Sequence, residues 1–143
     1  MAIESIGVIG GGAWGTALAQ TLRLAGRRVT LWAREAETVD DINARHVNRT
    51  FLPGVPLDPG LTATDDLAAL ASADAILMVA PAQHVRTIAK QLCPQLKPGQ
   101  PIVLCAKGIE QTTGRMLGDV LTEVLPDQTL AVLSGPSFAA DVA

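Results

Sequence analysis

Three glycines carry the clearest chemical signal in this sequence. In GVIGGGAWGTALA, Gly10, Gly12 and Gly15 stand at G-x-G-x-x-G spacing, directly after an apolar run and at the start of a helix-period segment. Gly10 permits a tight turn. Gly12 lets the backbone approach a pyrophosphate, because a Cβ there would occupy the same space. Gly15 lets the following helix lie close to a sheet. A helix that starts at this turn offers free N–H groups and partial positive charge to phosphate oxygens. Outside that context the same glycines would be a flexible turn without a ligand; here the position between strand and helix supports dinucleotide binding.

The end of the next strand reports which dinucleotide fits. An acidic residue about twenty positions beyond the glycines would bond a ribose 2′-hydroxyl. The stretch VTLWA ends instead at Ala33, followed by Arg34 and Glu35. No carboxylate at Ala33 repels a 2′-phosphate. Arg34 can cap the adenine, bind that phosphate with its planar fork, or remain a solvated loop residue. Glu35 can reach a ribose hydroxyl, which keeps NAD(H) open while NADP(H) is favoured.

Three further turns should face the same crevice. Val79-Ala80-Pro81 ends one strand, with Pro81 as a rigid wall near the cofactor. His84 beyond it reads as packing or surface rather than as a catalytic acid, since no carboxylate partner stands nearby. Cys105-Ala106-Lys107-Gly108 ends the next strand. Directly after an apolar run, the Lys107 ammonium could bind an anionic substrate; the alternative is an ordinary surface lysine. Ser134-Gly135-Pro136-Ser137 ends the last strand, with two hydroxyls and close backbone access at Gly135. There the structural alternative is a strand–helix connection with Ser137 as N-cap. Lys107 and this serine turn converge only if the sheet order is the usual one.

The elements that must position these groups follow from periodicity. Ile3–Ile9, Val29–Ala33, Ala75–Ala80, Ile102–Ala106 and Leu130–Leu133 read as strands, with Leu61–Thr64 as a short edge strand. Ala13–Ala25 reads as a helix with Leu18, Leu22 and Ala25 on one side and Gly26 as its C-terminal cap. Glu35–Arg45 is predicted helical. Pro53, Pro56 and Pro59 make Phe51–Gly60 a loop. Asp65 and Asp66 suit the first turn of a helix. Val85, Ile88, Ala89 and Leu92, and then Leu117, Val120, Leu121 and Val124, each mark one face of a helix. Such alternation implies right-handed βαβ units and a doubly wound parallel sheet covered on both faces. After Leu133 there is little room for another complete helix.

Composition narrows the class. With 143 residues, 48% of them hydrophobic and 17% charged, the chain suits one globular domain and not a disordered one. The net charge of −3 argues against a nucleic-acid binder. No apolar run reaches membrane-span length, and the N-terminus lacks a signal-peptide pattern. Cys93 and Cys105 read as free thiols of a reducing cytoplasm. His46 and His84 have no partners at metal-ligand spacing, so no metal is expected.

GGGAWGTALA, VTLWAR, FLPG, the VAP turn, CAKGIE and SGPSFAADVA, in that order, resemble the bacterial NAD(P)-dependent glycerol-3-phosphate dehydrogenases over nearly the whole chain. CAKGIE and SGPSFA are much more specific than the glycine fingerprint. The resemblance implies a Rossmann NAD(P)-binding domain over residues 1–143, the N-terminal part of a longer cytoplasmic oxidoreductase. That enzyme interconverts dihydroxyacetone phosphate and sn-glycerol 3-phosphate for glycerophospholipid synthesis. It implies cofactor contacts at Ala13, where the family often has serine, and at Trp14, Arg34, Lys107 and Ala139. Substrate contacts fall on Lys107, Gly135 and Ser137. The proton-transferring lysine belongs to an α-helical C-terminal domain outside these residues, so these 143 residues alone are expected to be inactive, and a homodimer is open for the full-length enzyme. A non-catalytic NADP(H)-binding module and a related hydroxy- or keto-acid reductase are the alternatives; the second does not predict CAKGIE and SGPSFA together.

Overall fold

The computed structural model describes residues 2–143. Six parallel strands run in the order β3-β2-β1-β4-β5-β6, the doubly wound arrangement expected from the strand–helix alternation. They are β1 (Ser5–Ile9), β2 (Arg28–Trp32), β3 (Thr62–Thr64), β4 (Ala75–Met78), β5 (Pro101–Leu104) and β6 (Thr129–Val132). The helices are α1 (Ala13–Leu24), α2 (Ala36–Asp40), α3 (Val85–Leu92), α4 (Leu117–Val124) and α5 (Ala139–Val142). No helix among the described residues is long and apolar enough to cross a membrane.

Side chains alternate across the central strands, so each strand feeds two cores. Ile9, Ile76, Met78, Ile102 and Leu104 pack with α3 and α4 through Val85, Ile88, Leu92, Leu117 and Leu121. Ile6, Val8 and Leu77 face the other way, with Leu18 and Ala19 of α1 and with Ile42. Gly7 leaves room for Leu70, whose Cγ would lie 3.0 Å from a Cβ at that position. Strand order reverses between β1 and β4, which places a crevice above their carboxyl ends.

Several boundaries differ from the pattern in the sequence. β1 begins at Ser5, not Ile3, because the Asp74 carboxylate accepts from the Glu4 and Ser5 amides, at 3.0 and 2.9 Å, and Ile3 stays exposed. α1 ends at Leu24. Ala25 is exposed and caps the helix, while Gly26, at φ +80°, and Arg27 return their amides to Arg23 and Leu22. That is the two-bond ending in which a left-handed residue satisfies the last carbonyls. The predicted helix Glu35–Arg45 is α2 followed by a π-helical turn over Asp41–Arg45. In that turn Asp41 is buried and paired with Arg45 and Arg49. Asp66 lies outside its helix: it is the N-cap of a single 3₁₀ turn, Leu67–Leu70, and accepts from the Ala68 amide at 3.0 Å. Leu133 lies just past β6. The last segment makes only the one-turn α5, which packs on α1 and receives a bond from Thr21 Oγ1 at the Val142 carbonyl.

Candidate functional site

The turn after β1 is shaped by what glycine lacks. Gly10 has φ +130°, and a Cβ on it would come within 3.0 Å of the Val79 carbonyl. A Cβ on Gly15 would overlap the Gly10 carbonyl oxygen. Gly11 was not predicted from spacing, yet a Cβ there would meet Ala33 Cβ at 2.6 Å; the run of three glycines was the available signal. Gly12 is different. Nothing lies within 4 Å of its Cβ position. The first three close the β1–α1 turn against β2 and β4, whereas Gly12 leaves open space above it.

The helical ladder of α1 begins with the Thr16 amide on the Gly12 carbonyl, at 3.0 Å. The amides of Ala13, Trp14 and Gly15 precede it and have no intrahelical partner. Open space at Gly12, beside amides at the positive end of a helix, fits a bound pyrophosphate.

Two clefts meet at this turn. The first, of about 560 Å³, is lined by Gly10, Gly12, Trp32, Arg34, Glu35, Phe51, Pro81 and His84, among others. The second, of about 400 Å³, is lined by Ala13, Trp14, Pro81, Cys105, Lys107, Ser137 and Ala139, among others. Val79, Ala80 and Pro81 belong to both. The predicted site residues therefore gather on one crevice. Gly15, in the first turn of α1, and Gly135 line neither cleft. Arg34 and Glu35 stand together on the first cleft, so both readings of dinucleotide choice keep their residue in place.

On the second side, Lys107 Nζ donates to the Gly135 carbonyl at 3.2 Å, so the two turns do converge. Ser137 does not cap a helix. The N-cap of α5 is Phe138, without a side-chain bond, and Ser137 faces the cleft. Burial pushes the Cys105 thiol up to about 11, so it stays protonated at neutral pH and is no nucleophile.

The loop carrying Lys107 is anchored by residues the spacing did not reveal. Glu110 is buried and accepts from Arg86 Nε at 2.7 Å, from Arg86 Nη2 at 3.0 Å and from Thr113 Oγ1 at 2.6 Å. The Arg86 guanidinium, then the Thr113 hydroxyl, hold the Glu110 carboxyl below its ordinary range. Gln83 bonds the Ile109 carbonyl and the Gln111 amide, each at 2.9 Å. The only signal was the acidic end of CAKGIE. Among the described residues no group of three His, Cys, Asp or Glu side chains could hold a metal.

Residues 5–143 match the family described as NAD-dependent glycerol-3-phosphate dehydrogenase N-terminus. Glycerol-3-phosphate dehydrogenase [NAD(P)+] of Paramagnetospirillum magneticum is 58% identical over 141 residues, which are 99% of this chain and 51% of that protein. The Rhodospirillum rubrum protein of the same name is 62% identical over 143 residues, covering 99% of this chain and 41% of its own length. The crystal structure of glycerol-3-phosphate dehydrogenase from Coxiella burnetii superposes with a TM-score of 0.90 at 34% identity, covering 98% of this chain and 43% of that one. The chain thus spans about half the length, or less, of the relatives it matches.

Proposed function

The chain belongs to the NAD-dependent glycerol-3-phosphate dehydrogenase N-terminal family, and from that membership we propose that residues 1–143 are the cofactor domain of an sn-glycerol-3-phosphate dehydrogenase. The observation that carries this reading is the pair of clefts joined at Pro81, with the open Gly12 position between Arg34 and Lys107. A dinucleotide lies across them, with NADP(H) favoured and NAD(H) accepted. When bound, the nicotinamide supplies hydride chemistry that no side chain of this domain offers.

The chain's own residues bind and orient. Gly10, Gly12 and Gly15 shape the phosphate turn. Arg34 reads the adenosine side, and Ala13, Trp14, Pro81 and Ala139 line the path of the cofactor. Lys107 serves both ligands: its ammonium holds the anionic substrate against the cofactor, with the Gly135 backbone and the Ser137 hydroxyl beside it. The substrates are dihydroxyacetone phosphate and sn-glycerol 3-phosphate. The proton is moved by a lysine outside these residues, in a longer enzyme. Its setting is the cytoplasm, in glycerophospholipid synthesis; the net charge of −3 supports a small-molecule partner over nucleic acid.

The test is paired. NADPH and NADH are titrated into the chain, and dihydroxyacetone phosphate reduction is assayed on the chain and on the longer enzyme that contains it. Dinucleotide binding by the chain, with turnover only in the longer enzyme, is expected. In the longer enzyme, Lys107→Ala should cut turnover while leaving dinucleotide binding largely intact. A chain that binds neither dinucleotide overturns the reading, and normal turnover by the variant removes Lys107 from the site.

A further inference from the structure

Asn48 lies far from the glycine turn in sequence and against it in space. It is 1% exposed and lines neither cleft. Its Nδ2 donates to the Gly11 carbonyl at 2.9 Å and to Thr16 Oγ1 at 2.8 Å, while its Oδ1 accepts from the Phe51 amide at 3.1 Å. Thr16 Oγ1 in turn donates to the same Gly11 carbonyl at 3.4 Å. Both amide protons and the amide oxygen are therefore used. Aspartate would lack the donors, and serine could not make all three bonds.

The Gly11 carbonyl is the point that matters. In a planar trans peptide the C=O and the following N–H point in opposite directions. Two bonds drawing the Gly11 oxygen inward turn the Gly12 N–H outward, toward the open space above the turn. The anchor is itself held. Arg49, the next residue, donates from Nε and Nη2 to the Asp41 carboxylate at 2.8 and 2.6 Å, and the Leu52 amide bonds the Asn48 carbonyl at 2.9 Å. Thus the segment that carries Phe51 to the cleft also fixes the peptide beneath it.

We infer that Asn48 is a positioning residue for dinucleotide binding: through the Gly11 carbonyl it aims the Gly12 amide at the pyrophosphate, without touching the ligand. This rests on the dinucleotide reading above and adds a residue to it. Thr16 is its partner in the same role.

The test uses the chain itself, labelled with ¹⁵N, with NADPH as the probe. Asn48→Asp keeps the size of the side chain, removes both donors and adds a charge. NADPH should bind about tenfold more weakly or worse, as expected for losing hydrogen bonds in a buried network. The Gly12 amide resonance should move in the free variant and lose its response to NADPH. A folded variant that binds NADPH as the wild type does overturns the inference. So does one that binds weakly but keeps the wild-type Gly12 resonance and its response, since Asn48 then acts on stability alone. Should Asn48→Asp not fold, Thr16→Val removes one arm at nearly constant shape; a weaker NADPH complex with a displaced Gly12 resonance supports the inference, and no change in either overturns it. A wild-type chain that binds no dinucleotide overturns the cofactor reading and this inference together, whereas unchanged variants of a binding wild type overturn this inference alone.

Discussion

The cleft above Gly12 and the cleft beside Lys107 share Val79, Ala80 and Pro81, yet they are held in different ways. The first is closed by backbone. Gly10 donates to the Trp32 carbonyl at 3.0 Å, three glycines leave no room for a Cβ, and Asn48 ties a distant loop to the turn. The second depends on side chains. Lys107 reaches Gly135 through one exposed bond, and its loop is anchored three residues away by Glu110. Phe138, on its lip, is 79% exposed, and Val132 at the end of β6 is 71% exposed. A pyrophosphate is the same in every dinucleotide, so a rigid backbone cradle suits it. Orienting a small anion calls for a charge on a longer arm.

The largest effect should come from the backbone-built side. Gly15→Val forces a branched side chain into the Gly10 carbonyl, so the β1–α1 turn must open. A loss of about 3 kcal/mol or more in chemical denaturation is expected, with dinucleotide binding abolished. Gly12→Ala sharpens the contrast within the same turn. Its methyl enters open space, so stability should hold within about 1 kcal/mol, the size of an ordinary Gly→Ala effect, while NADPH binding falls. A Gly12 variant that binds NADPH normally would break the assignment of that space to a ligand.

Glu110→Ala probes the side-chain-built region. It releases Arg86 and Thr113 and loosens the Lys107 loop. Turnover of the longer enzyme should fall well below that of the wild type while the chain's NADPH affinity changes less, because the glycine turn that cradles the pyrophosphate is left intact. Equal losses in both would show that the two clefts are one mechanical unit.

Arg34→Asp should weaken NADPH relative to NADH by on the order of 1–3 kcal/mol, the range for a hydrogen bond to a charged group. Titrating both dinucleotides decides this, and equal losses would refute Arg34 as the 2′-phosphate reader.

The smallest effect concerns acid stability. The Arg49 guanidinium, helped by Arg45, holds the Asp41 carboxyl down from 3.8 to about 2 against the opposing effect of burial. A depressed folded value means that this stabilisation is present above the unfolded value and lost as pH falls toward the folded one. Wild-type stability should therefore decline through the window from about 4 down to about 2, and Asp41→Asn should flatten that part of the profile. Unfolding midpoints measured across the window would show it.

Local chemistry determined much of this protein from sequence. Apolar runs of strand length and four-residue helical spacing depend on neighbours in the chain, so the strands, the helices and a doubly wound parallel sheet followed from them, whereas the order of the strands is set by tertiary pairing. The glycine spacing located the turn for the same reason. Tertiary structure decided whatever rests on distant partners. Asn48 is 37 residues from Gly11, and Arg86 is 24 from Glu110; no spacing rule connects either pair. The π-helical turn at Asp41 and the role of Ser137 in facing the cleft rather than capping α5 belong to the same class. A helix or strand is specified by groups a few residues apart, whereas a buried amide or carboxylate takes whichever partners the packed chain brings within hydrogen-bond reach.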